Sequence, residues 1–171
     1  MNLSTIRFPR PLEAEGSAEK IRQALVTRKT RLWPEGKIEV PVSNISEALI
    51  GAIKKARLQR RVRFGFDDIF DKLAAEKKGI DELLQRMKAQ QKDRISRLLL
   101  FSNDGAERLY RHIEQTLIEH HLRILGCQLD VDSKTLGQLI TGRSAGIKVI
   151  LVEHKDAVSD VLHALAGNKE S

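Results

Sequence analysis

The stretch ISRLLLFSNDGAERLYRHIEQTL, residues 95–117, decides the fold class. Its apolar run, Leu98-Leu99-Leu100-Phe101, is what a strand needs when both faces of its sheet are covered. Ser102-Asn103-Asp104-Gly105 then turns the chain, and an amphipathic helical segment follows over 106–121. In this reading Asn103 or Asp104 caps that helix and Gly105 eases the turn. The corner also lies where α/β folds place ligands, and free amides at a helix start attract phosphate. Against a phosphate site stand the charge of Asp104 and the single glycine.

The same alternation continues beyond it. The run ILGCQL ends a strand over 123–129 and leads to a helix over 133–141. The run IKVILV gives a strand over 147–152 and leads to a helix over 156–166. Continuous apolar strands alternating with helices predict a parallel sheet with helices on both faces, an α/β fold of three α/β/α layers. In the segment 129–143, Ser133 is the expected N-cap and Gly142 the stop. Gly137 inside that helix signals a close backbone approach.

Upstream the pattern changes. Pro9, Pro11 and Gly16 punctuate an irregular leader over 1–18. Trp33-Pro34-Glu35-Gly36-Lys37 is a turn between two strand-like runs, and Lys37-Ile38-Glu39-Val40 alternates as a half-buried strand does, which predicts a hairpin. Residues 43–65 read as a helix capped by Ser43 or Ser46, with Ile45, Leu49, Ile53 and Leu58 as its apolar stripe. Residues 66–93 read as two short amphipathic helices with Gly79 stopping the first. The expected organisation is a basic α+β unit over 1–65 followed by an α/β unit over 66–171.

Charge supports that division. The chain of 171 residues has a net charge of +7, and residues 1–65 carry 14 Lys/Arg against 6 Asp/Glu. Residues 66–93 carry 6 against 7, and residues 94–171 carry 10 against 10. Charge concentrated in one third of a chain points to an anionic partner, of which nucleic acid is the commonest. Only 4% of residues are aromatic, so such a surface works by charge rather than base stacking. Lys54, Lys55, Arg57, Arg60, Arg61 and Arg63 crowd the end of the 43–65 segment. Two or three of them complement a helix dipole; six exceed that need. Arg143 and Lys148 flank a later turn, and Arg28, Lys29 and Arg31 stand beside the hairpin.

Other chemistries find less support. His112, His120, His121, His154 and His163 lack the spacing that brings two imidazoles to one metal. Cys127 lies within an apolar strand and reads as a small buried hydrophobe. Ser102, His154 and Asp130 all fall near the expected carboxyl ends of strands, so a nucleophilic arrangement stays open in the sequence. No apolar run reaches membrane-spanning length, and 1–17 lacks the apolar centre of a secretory signal, which together predict a cytoplasmic protein.

Several of these residues carry a resemblance. SKTLGQLITGRSAGIKVILVEHKDAVSDVL resembles the end of the ribosomal protein L-seven-Ae type of domain: a Leu-Gly helix (Leu136, Gly137), a Gly-Arg turn (Gly142, Arg143), an apolar strand and a closing helix. LLLFSNDGAERLYRHIEQTL is similar to that family's strand, Ser/Asp turn and helix. The resemblance covers about residues 66–167, and its motifs are short. ISEALIGAIKKARLQRRVR, residues 45–63, looks like the closing helix of a YlxR-type basic domain, which can precede an L-seven-Ae-type domain in bacteria. Where that family's kink-turn readers carry Gly-Asn-Glu, this chain has FGFDD at 64–68, and the YlxR-type Gly-Arg-Gly stretch and paired cysteines are absent.

The resemblance and the charge map together predict a non-catalytic RNA-binding protein of the bacterial cytoplasm, associated with the ribosome or translation, needing no cofactor and no metal. Its phosphate contacts would be Arg28, Lys29, Arg31, Lys54, Arg57, Arg60, Arg61, Arg63, Arg143 and Lys148. Two other functions compete: a protein-interaction module docking an acidic partner on the basic helix, and a small-ligand site at the carboxyl edge of the sheet near Ser102 and Asp104.

Overall fold

A computed structural model describes Leu3, residues 5–87 and residues 93–167. In chain order the elements are α1 (Arg10–Ala14), α2 (Ala18–Val26), β1 (Lys29–Arg31), β2 (Glu39–Ser43), α3 (Glu47–Leu58), β3 (Val62–Phe64) and α4 (Phe66–Met87). Then follow β4 (Arg97–Phe101), α5 (Glu107–Glu119), β5 (Ile124–Leu129), α6 (Ser133–Thr141), β6 (Val149–Val152) and α7 (Lys155–Gly167). The six strands form one mixed sheet in the order β1-β2-β5-β4-β6-β3.

Alternation along β4 builds the two cores. Leu98 and Leu100 point to one face, where α1, α2, α3, α6 and α7 cover the sheet with Phe8, Leu12, Ile53, Leu136 and Leu162. Leu99 and Phe101 point to the other, where α4 and α5 bring Ile69, Phe70, Leu73, Ile113 and Leu117. Helices therefore lie on both faces, giving the three-layer α/β/α arrangement expected from the apolar strands.

The sheet is not all parallel. β4 and β5 run parallel, as expected, and β2 joins β5 in the same sense. β6 is antiparallel to β4, with Leu98 opposite Val152 and Phe101 opposite Val149. The cause is the return path after α6. Residues 142–148 fold back along the helix, and the Ile147 N–H donates to the Ser133 carbonyl at its start. A Cβ on Gly137 would stand 2.0 Å from the Ala145 carbonyl oxygen, so only glycine lets the returning chain lie this close. Gly142, at φ +71°, makes the reversal as the expected stop. The chain is thus delivered back to the edge where β4 and β5 end, and β6 must run the other way.

Four other expectations are corrected. Within the leader Arg10–Ala14 form α1, and α2 runs from Ala18 into the start of the first strand-like run, with Phe8, Leu12, Ile21 and Leu25 buried. The helix expected over 43–65 ends at Leu58, and Val62–Phe64 is an edge strand paired antiparallel with β6. The two helices expected after residue 66 are one helix of 22 residues, α4. Gly79 does not stop it: Lys77 and Asp81 pair across it at 3.0 Å, one turn apart. Residues 88–92 of the expected second helix lie outside the described residues. Finally, 1–65 and 66–171 share one sheet and both of its cores instead of forming separate units. β2 pairs with β5 and β3 with β6, and α3 and α2 both pack on α7. The hairpin is as expected, with Thr30 opposite Val40.

Candidate nucleic-acid interface

α3 presents the cations because its opposite side is held down. Ser46 is the N-cap, its Oγ accepting from the Leu49 N–H at 3.1 Å. Leu49, Ile50, Ile53 and Ala56 are buried, which turns Lys54, Lys55 and Arg57 to solvent. The helix closes by a two-bond cap: Arg60 N–H donates to the Arg57 carbonyl at 3.0 Å and Arg61 N–H to the Ala56 carbonyl at 2.8 Å. This cap needs a left-handed residue, and Arg60 occupies it at φ 58° where glycine is the usual choice. Arg57, Arg60 and the nearly fully exposed Leu58 thereby form a corner leading into β3.

The ten expected phosphate ligands separate by what they touch. Arg63 is already neutralised: its Nε meets Glu153 at 2.8 Å and its Nη1 meets Asp68 at 2.8 Å. These bonds, Glu153 first, hold its guanidinium above its already high ordinary pKa. Arg28 donates to Asp130 at 3.0 Å and Asn44 at 3.2 Å, and with Asn103 it keeps the Asp130 carboxyl below the usual range. Among the described residues, Lys29, Arg31, Lys54, Arg57, Arg60, Arg61, Arg143 and Lys148 have no carboxylate within ion-pair distance.

They do not form one face. Lys29 and Arg31 lie on β1, at the opposite margin of the sheet from β3. Five strand spacings of about 4.8 Å separate these margins by about 24 Å. Arg143 and Lys148 sit in the loop before β6, at the edge where β4 and β5 end. Arg57, Arg60 and Arg61 lie at the other edge, where β4 and β5 begin.

That amino edge holds cations which the charge count alone does not single out. Arg94 donates to the Phe8 carbonyl at 2.6 Å, Arg97 begins β4, and Arg123 immediately precedes β5. Arg97 and Arg123 share one carboxylate, Glu76, at 3.3 and 2.6 Å. Burial pulls the Arg123 guanidinium below its ordinary pKa, with Glu76 opposing. Their sequence signal is an arginine at the start of one inner strand and immediately before the other.

The Ser102–Gly105 corner is occupied by its own side chains. Asp104 accepts from Ser102 Oγ at 2.7 Å, Ser133 N at 3.0 Å and Ser133 Oγ at 2.9 Å. Burial tends to raise its carboxyl, but the hydrogen bonds from Ser102 and Ser133 outweigh it and hold it below the usual range. Tyr110 donates its hydroxyl to the Ser102 carbonyl at 2.9 Å and accepts from Gly105 N–H at 2.8 Å. Asp104 therefore does not cap its own helix, whose N-cap is Ala106. It ties the turn after β4 to the start of α6, where Asp132 takes the cap expected of Ser133 by accepting from Thr135 N–H at 2.6 Å.

The sequence also left Ser102, His154 and Asp130 open as a nucleophilic set. The antiparallel course of β6 puts His154 at the amino edge, with Ser102 and Asp130 at the carboxyl edge, so the three do not meet. Cys127 is fully buried, and burial pushes its thiol up to about 12. Among the described residues no three metal-ligating side chains converge, and no helix is long and apolar enough to cross a membrane.

No protein-family model matches the chain, and no curated protein matches it.

Proposed function

We propose that this is a non-catalytic RNA-binding protein of the cytoplasm, working beside the ribosome, whose principal contact surface is the end of α3. The observation that carries this is the set Lys54, Arg57, Arg60 and Arg61, four cations close in sequence with no carboxylate partner among the described residues. Arg60 stands at a helix terminus in a conformation that its side chain disfavours. Strain of this kind concentrates where function requires the side chain. The resemblance of 66–167 to the L-seven-Ae type of domain points to the same ligand class. Arg63 leaves the list of phosphate ligands, because its guanidinium is committed to Glu153 and Asp68.

The test is binding of total cellular RNA across a salt series, comparing the native chain with the triple change Arg57→Gln, Arg60→Gln and Arg61→Gln. Each phosphate contact contributes about 0.7–0.9 to the slope of log affinity against log salt. Three lost contacts therefore make the slope shallower by about 2–3. Arg63→Gln should lower stability and leave the slope unchanged. An unchanged slope in the triple variant, or no binding at low salt, refutes the assignment. Binding that holds at high salt transfers the surface to an acidic protein partner.

A further inference from the structure

We propose that the second half of α4, residues 77–87, is an acid-released arm, held to the body while His120 is neutral and let go when His120 takes up a proton. This rests on observations separate from the cationic corner. At 1.5 Å per residue, the 22 residues of α4 extend about 33 Å, while the inner strands span only about 17–20 Å. Ile69, Phe70 and Leu73 are buried and anchor the first half. Beyond them Glu76, Lys77, Ile80 and Leu84 are only half-buried, and Leu83 and Met87 are exposed.

The arm meets the body at the end of α5. Lys77, Ile80 and Asp81 line a cavity of about 40 Å³ together with Glu119, His120 and Arg123. His120, the C-cap residue of α5, is 5% exposed. The cavity has room for about one water, so an imidazolium ring there would be poorly hydrated. Lifting the arm opens the cavity and removes that penalty.

The carboxylates facing the ring are engaged elsewhere. Glu76 binds Arg97 and Arg123, Asp81 binds Lys77 at 3.0 Å, and Glu119 accepts from Gln115 at 2.7 Å. A proton on His120 therefore adds a positive charge beside Arg123 and Lys77, with no ion-pair carboxylate of its own among the described residues. Burial, and next Arg123, hold the ring below the ordinary imidazole range, with Glu119 and Glu76 opposing and Lys77 adding to the effect.

The released ring is thus easier to protonate than the docked one. Docking is at full strength above about pH 6.5 and weakens as pH falls toward the lowered docked value. Within that window release takes up one proton, so its equilibrium constant rises up to about tenfold per pH unit. A freed stretch shorter than about 12 residues does not hold a helix in water, so release also unwinds the arm.

Amide hydrogen exchange read by mass spectrometry from about pH 7.5 to 5, corrected for the intrinsic pH dependence of exchange, tests this across the imidazole range. In the native chain, protection over 77–87 should fall by up to about tenfold per pH unit below about pH 6.5, while that of α3 and β4 holds. His120→Gln should show no such fall. NMR titration of the native chain is a second measurement that needs no variant: His120 should titrate below the same ring in the urea-unfolded chain. Titration at or above the unfolded value overturns the proposal. So does protection over 77–87 indifferent to pH, a fall that persists in His120→Gln, or one that α3 shares equally.

Discussion

Replacing Arg60 by glycine should make the protein more stable and a poorer RNA binder at once. The residue sits at φ 58° and closes α3 with two backbone bonds that any residue supplies. A side chain in the left-handed region costs about 1–2 kcal/mol, which glycine avoids. Glycine in turn adds about 0.5–1 kcal/mol of unfolded-state freedom. The net expectation is a gain of about 0.5–1 kcal/mol. For a chain of this size that raises the melting temperature by about 1–4 °C. Urea unfolding gives the free energy, and the RNA salt series gives the second readout, a slope shallower by about 0.7–0.9 for one lost phosphate contact. The pairing of opposite signs is the test, since a merely damaged protein would lose both. A fall in stability on Arg60→Gly would show that the guanidinium holds the fold. Unchanged RNA binding would remove Arg60 from the interface.

Three further outcomes follow from the geometry. Gly137→Ala places a methyl 2.0 Å from the Ala145 carbonyl oxygen, and overpacking against backbone should cost about 3 kcal/mol or more by denaturant unfolding, despite alanine's better helix propensity. Glu114 is buried and accepts from Trp33 Nε1 and from the Lys37 and Ile38 N–H groups. Glu114→Ala should therefore cost about 2–4 kcal/mol, with the change in Trp33 fluorescence reporting the loosened hairpin turn. The folded Asp104 carboxyl titrates below its unfolded value near 3.9, so its contribution is present above that pH and is lost as pH falls toward the lowered folded value. Asp104→Asn should flatten the stability profile below about pH 4, and an acid limb identical to the native one would contradict this.

Periodicity made the layers legible, because a strand that must be apolar on both sides has no other pattern. The run 98–101 reads that way in the sequence and is buried on both faces in the structure. Local chemistry was open in part: Trp33 to Lys37 marks the hairpin, Ser46 of the two expected serines caps α3 and Gly142 ends α6, but the caps expected of Asn103 or Asp104 and of Ser133 fall to Ala106 and Asp132. Strand direction was not legible, since a run such as Val149–Val152 is the same apolar string whichever way it crosses the sheet. Its direction depends on Gly137 accepting Ala145, a contact that spacing cannot show. Glycine misled at Gly79, where the helix runs on, with Lys77 and Asp81 paired one turn apart across it. For the interface, the sequence located the cations but not their carboxylates. Glu153 is far from Arg63 in the chain and Asp130 far from Arg28, so only the fold separates the neutralised arginines from the free ones.

The packing of α2 and α3 on α7 has a consequence for synthesis. These helices are made early, yet the apolar surface they cover includes Val158, Val161 and Leu162, which leave the ribosome much later. β2 likewise waits for β5, and β3 for β6. The first 65 residues therefore emerge as an unfinished surface, with Ile21, Leu25 and Ile53 still lacking their neighbours. Closure of this core therefore waits for α7, which must pair with elements made well before it. Such long-range pairing slows folding and lengthens the interval in which a nascent chain needs protection from aggregation.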